Sequence, residues 1–144
     1  MVYNDINLQK ELFMPGQNDP LEDLLLNAQE VDRARLAGAL RGILGVDTES
    51  GRLVLKPGFT TLNTRQKILA YLLGRKAAHL LGKLENEAAT FKTIQAETGM
   101  PAGTVGPKSR ELYDDHKISQ TAGKEYYVDH HQVLAAIEEL GKGE

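Results

Sequence analysis

Cysteine and tryptophan are both absent from this 144-residue sequence. Without cysteine there is no disulfide scaffold, thiolate zinc site or thiol nucleophile, and a reducing cytoplasm is the expected setting. Aromatic residues are scarce, three Phe and five Tyr, so a stacking platform for single-stranded nucleic acid is not expected. No apolar run approaches the roughly 20 residues that cross a bilayer, so no membrane partner is expected. The opening MVYNDINLQKELF sets acids among its apolar residues and has no signal-peptide core. Hydrophobic residues at 41% and charged residues at 26% exclude wholesale disorder. The length suits one ordinary domain or two very small ones.

Acid is missing from one long stretch. Residues 50–84 contain no Asp or Glu, but hold Arg52, Lys56, Arg65, Lys67, Arg75, Lys76 and Lys83. The first 49 residues carry nine acids against four basic residues, and residues 60–144 carry eleven of each. The formal charge of -3 therefore describes no single surface, and it does not exclude a basic face on the C-terminal part.

The chain divides into an N-terminal arm (1–18), a helical and hairpin extension (19–59) suited to dimerisation, and a C-terminal domain (60–144). The arm lacks periodicity and contains the Pro15-Gly16 breaker. Asp19-Pro20 with Glu22 gives a helix start, and Leu21, Leu24, Leu25 and Ala28 share a face. A second apolar set at Val31, Leu36, Ala39, Leu40, Ile43 and Leu44 fits either a bend or a second short helix ending at Gly45. Arg52-Leu53-Val54-Leu55 reads as a strand, paired across the Glu49-Ser50-Gly51 turn with residues 45–47. Asn63 with Gln66 forms a capping box for a long helix over 64–81. Its broad apolar face comprises Ile68, Leu69, Leu72, Leu73, Ala77, Leu80 and Leu81.

Beyond Thr90 the signals come close together. Thr90 caps a short helix with Phe91, Ile94 and Ala96 on its inner face, and Gly99 supplies the left-handed stop. A helix from about Pro101 points Val105 and Leu112 inward, with Ile118 at its exit. Pro107 requires either a late start or a kink in that helix, and Ser109 stands where an apolar residue is expected, implying a shallow core. Ile118-Ser119-Gln120 and Glu125-Tyr126-Tyr127-Val128 form a hairpin about residues 121–124. Asp129 with Gln132 then opens a closing helix whose apolar face is Val133, Leu134, Ile137 and Leu140.

This order of elements, from Asn63 to Gly141, resembles the winged helix-turn-helix superfamily. The residues that carry the likeness are the Thr90 cap, Ile94 ahead of Gly99, Thr104-Val105, and Arg110-Glu111-Leu112 ahead of Ile118. The resemblance implies a mainly α fold with a small β-hairpin wing, here with an N-terminal helical and hairpin extension. It also implies a transcriptional regulator that places its second motif helix in the major groove of double-stranded DNA. Carried onto this chain, the DNA-binding candidates are Lys92, Thr104, Lys108, Arg110 and Lys124, joined by Arg65 and Lys67 at the start of the long helix. Paired wings suit palindromic half-sites, so a homodimer is expected. The alternative is a winged-helix protein–protein interaction module in a larger assembly, with no direct base reading.

Other constellations are weaker. Asp114-Asp115-His116 and Asp129-His130-His131 lack the spacing of a metal-binding helix, and no glycine-rich phosphate loop follows a strand. No nucleophile has an identifiable base and orienting acid. The expectation is a non-catalytic protein with no metal and no cofactor.

Overall fold

The computed structural model describes residues 32–141; the arm and the helix expected at Asp19-Pro20 lie outside them. Helix α1 (Arg33–Leu40) opens on Asp32, whose carboxylate accepts the Arg35 N–H at 3.0 Å. It stops at Leu40, earlier than the apolar spacing indicates, because Gly42 is left-handed and Leu44 already belongs to a strand. Strands β1 (Leu44–Val46) and β2 (Leu53–Leu55) form an antiparallel hairpin with Gly45 opposite Val54. Asp47 closes its turn by accepting from the Ser50 N–H (2.8 Å) and hydroxyl (2.9 Å) and from the Glu49 N–H (3.2 Å). A single helical turn, α2 (Pro57–Thr60), buries Phe59.

Helix α3 (Thr64–Leu80) is the centre of the described residues. Its expected capping box is present, with Asn63 accepting the Gln66 N–H and Gln66 accepting the Asn63 N–H. Ile68, Leu69, Ala70, Tyr71, Leu72 and Leu73 are six consecutive buried residues, so the helix is enclosed on all sides rather than along one face. Helices α1, α5 and α6 and the β1–β2 hairpin surround it. The hairpin approaches at Gly74, where an added methyl would lie 2.9 Å from both Leu44 and Leu53 side chains. Enclosure fails at the C-terminal end, where Leu81, expected to be inward, is 59% exposed.

Helix α4 (Phe91–Thr98) is capped by Thr90 and ends on Gly99 in the left-handed region (φ 76°). Helix α5 (Ala102–Asp114) follows after a three-residue link and contains Pro107 as its sixth residue. Proline cannot donate to the Gly103 carbonyl, but Gly103 and Pro107 are both exposed, so water can take that place. Ser109 is fully buried, so the core is not shallow there; its hydroxyl finds no hydrogen-bond partner among the described residues. Strands β3 (Ser119–Gln120) and β4 (Tyr126–Tyr127) pair antiparallel, and Ala89 adds a bridge to Tyr126. Asp129 and Gln132 form the expected capping box, first around a 3-10 turn (His130–Gln132) and then leading into α6 (Val133–Gly141). The buried face of α6 is Val133, Ala136 and Leu140; Leu134, expected inside, is 47% exposed. The described residues are mainly helical with two small antiparallel hairpins.

Candidate nucleic-acid interface

Helices α4 and α5 cross over a core of Ile94, Val105, Leu112 and Ile118, each at most 1% exposed. At the edge of that core the Phe91 and Tyr126 rings stack, 5.8 Å apart and 14° from parallel. Tyr113 meets Tyr126 edge-on at 6.4 Å. Gly106 lies beneath Phe91, where an added methyl would sit 3.7 Å from the ring. This aromatic hub joins the first turn of α4, the body of α5 and β4.

Burial raises the pKa of the Tyr126 hydroxyl; Arg110 opposes that rise, and Asp114 and Tyr113 add to it. Arg110 and Asp114 therefore both act on the tyrosine edge of the hub. The hydroxyl accepts a hydrogen bond from Gln120 Nε2 at 3.3 Å.

The sequence-derived candidates divide into two sets. Lys92, Arg110 and Lys124 are exposed and form no ion pair among the described residues. Lys92 adjoins Phe91 and Lys124 lies two residues before Tyr126, so these three cations belong to the elements that meet at the hub. Lys124 occupies a left-handed position (φ 62°) in the hairpin turn. Thr104 is half-buried, and Lys108 is held to Glu111 at 3.0 Å. Between them α5 exposes Ala102, Gly103 and Pro107, whose side chains offer no donor or acceptor.

Arg65 and Lys67 are otherwise engaged. Arg65 ties three elements together, bonding through Nε to Glu139 of α6 and through Nη1 to Glu111 (3.3 Å) and Asp115 (3.1 Å) at the end of α5. Burial works against its charge, but the bonds to Glu139 and Asp115 outweigh that and raise its pKa. Lys67 sits 5.9 Å from the centroid of the Phe59 ring, on the α2 side of α3.

Several other charged groups serve the scaffold. Lys76 is fully buried, with Nζ 2.9 Å from Glu87 Oε1, an ionic contact without hydrogen-bond alignment, and 3.2 Å from His130 Nδ1. Tyr71 donates its hydroxyl to Glu97 of α4, and Arg75 Nη1 donates to that hydroxyl at 3.2 Å. Arg75 also binds the carbonyls of Asn86, Glu87 and Ala88, fixing the approach to the Ala89 bridge. Asp115 is taken by Arg65, and Asp129 lies 3.5 Å from His131. Among the described residues no three His, Cys, Asp or Glu side chains gather as metal ligands, and no helix is long and apolar enough to cross a membrane.

The hub itself escaped sequence reasoning. Phe91 was expected on an inner face, but its stacking on Tyr126, 35 positions away, requires the Ala89–Tyr126 bridge to be known first. No protein-family model, curated protein or solved structure matches this chain.

Proposed function

We propose that this chain is a non-catalytic, cytoplasmic, winged-helix protein that binds double-stranded DNA as a transcriptional regulator. The observation that carries the reading is the hub of Phe91, Tyr113 and Tyr126, where α4, α5 and the β3–β4 hairpin meet; each of the three carries an exposed cation, Lys92, Arg110 and Lys124 in turn, with no ion-pair partner among the described residues. The order α3, Ala89 bridge, α4, left-handed Gly99, α5 and hairpin supports it, because that order resembles a winged helix-turn-helix. In this reading α5 enters the major groove by its N-terminal half. Lys92 and Lys124 hold phosphates on either side, fixing orientation without reading sequence. Charge supports it as well: residues 32–141 carry fifteen Lys and Arg against thirteen acids, while residues 1–31 carry one Lys against six acids.

Titration of the full chain on random-sequence duplex DNA over a salt series tests this. Each phosphate contact contributes about -0.9 to the slope of log K against log salt. Arg110→Ala with Lys124→Ala should therefore flatten the slope by roughly 1.8. Absence of binding at about 50 mM salt, where such contacts are strongest, rejects the proposal.

A homodimer is part of the same reading. Leu36 and Ala37 of α1 line a groove with Ala77, Leu80 and the exposed Leu81, apolar surface that a two-fold partner would cover. Light scattering at micromolar concentration decides it, and a clean ~16 kDa species rejects the dimer. One observation favours a second reading, a protein-interaction module: the acids Glu111, Asp114 and Asp115 crowd the C-terminal end of α5.

A further inference from the structure

We infer that the DNA ligand of the α5 face is duplex of any sequence, held by its phosphates and groove shape without selection among base pairs. This rests on the DNA-binding reading above and specifies the class of ligand. Base selection in a major groove needs side chains that present paired donors or acceptors to a base edge, or apolar groups shaped to a thymine methyl. The residues that would stand there are Ala102, Gly103, Thr104 and Pro107. Three of them carry no polar side-chain atom, and Thr104, the only one with a hydroxyl, is half-buried.

The next residues along the helix do not restore selectivity. Lys108 is turned to Glu111 at 3.0 Å, and Glu111 also contacts Arg65 at 3.3 Å, so Lys108 is drawn into the ionic cluster at the end of the helix. Arg110 has the chemistry to recognise guanine, but it is the ninth residue of α5, more than two turns beyond Ala102 at the helix start. Lys92 and Lys124 lie on other elements, α4 and the hairpin turn, and are exposed, so they are free to contact phosphates and not bases. Small exposed residues on α5 let its backbone approach the duplex closely, and the three cations supply the attraction. Location on any one genomic site then falls to DNA shape or to a second protein.

Three phosphate contacts predict a salt slope of about -2.7, a loss of roughly 40-fold in affinity between about 50 and 200 mM salt. The deciding experiment is repeated selection of the full chain on a random-sequence duplex pool, followed by sequencing and by anisotropy titrations on individual recovered duplexes. The expected result is binding with no enriched motif, and recovered and unselected duplexes with affinities within about threefold of each other. Lys92→Ala, Arg110→Ala and Lys124→Ala should each weaken binding by the same factor on every duplex. An enriched motif bound more than about tenfold better than the pool overturns this inference and leaves the DNA-binding reading in place. No binding at about 50 mM salt overturns both.

Discussion

Replacing Gly51 by alanine tests how the β1–β2 hairpin is seated on α3. Gly51 has a φ of 76°, and a methyl built there would lie 2.2 Å from the Lys83 carbonyl oxygen and 3.1 Å from the Lys83 Cβ. Two costs follow. A left-handed alanine costs about 1–2 kcal/mol, offset in part by about 0.4–1 kcal/mol of lost freedom in the unfolded chain. The contact with Lys83 is with rigid backbone, so the turn must lift by about 1 Å, a strain comparable to overpacking at about 1–3 kcal/mol. The sum is a destabilisation of about 2–3 kcal/mol. Gly82 provides the control, since it has the same φ of 76° and no atom of the described residues within 4 Å of its added methyl. Gly82→Ala should cost only about 1 kcal/mol.

Urea denaturation of the full chain, followed by far-ultraviolet circular dichroism, separates the two terms. With a slope of about 2 kcal/mol/M, the Gly51→Ala midpoint should fall by about 1 M or more at unchanged slope, and the Gly82→Ala midpoint by about half as much. Equal midpoints for the two variants would refute the argument, because the steric contact would then contribute nothing.

Further expectations come from the polar groups. Ser109→Ala removes a hydroxyl that is fully buried without a partner, so thermal melting should show a gain of about 1 kcal/mol; a loss of similar size would mean the hydroxyl is hydrogen-bonded after all. Arg65→Ala leaves Glu111, Asp115 and Glu139 without their shared cation and should cost about 1–2 kcal/mol, less in about 1 M salt than at low salt; a salt-independent cost would point to lost packing instead. Burial, and then the bond to Glu97, raises the Tyr71 pKa well above its ordinary value of 10.0. The unfolded chain releases that proton first as pH rises past about 10, so stability should fall there by at most about 1.4 kcal/mol per pH unit. Melting temperatures from about pH 9 to 12 check it, and Tyr71→Phe should flatten the decline.

The features most legible in the sequence were those governed by local chemistry. Asn63 with Gln66, Thr90, Gly99 and Asp129 with Gln132 each mark a helix end where they stand, because capping requires only residues within one turn. The β1–β2 hairpin was placed within a residue for the same reason. Side-chain destinations set by distant partners were not legible. Arg65 reads as a free cation until α6 and the end of α5 bring Glu139, Glu111 and Asp115 to it. Leu134 and Leu81 fit the apolar stripes of their helices, but no described element covers them fully. Likewise the all-round burial of α3 is hidden, since Gln66, Gly74 and Lys76 interrupt its stripe and yet are buried. Among the candidate contacts, Lys92, Arg110 and Lys124 were identifiable as charges, and only the fold shows that the elements carrying them meet at one hub.

The enclosure of α3 has a consequence for how the protein comes apart. Its middle, from Ile68 to Gly74, touches the β1–β2 hairpin at Gly74 and α4 at Tyr71, whose hydroxyl donates to Glu97. The amides at the centre of α3 are covered from several sides at once, so they reach water only when that whole surround has detached. Hydrogen exchange at those amides therefore reports global unfolding, while the two hairpins exchange through smaller, separate openings.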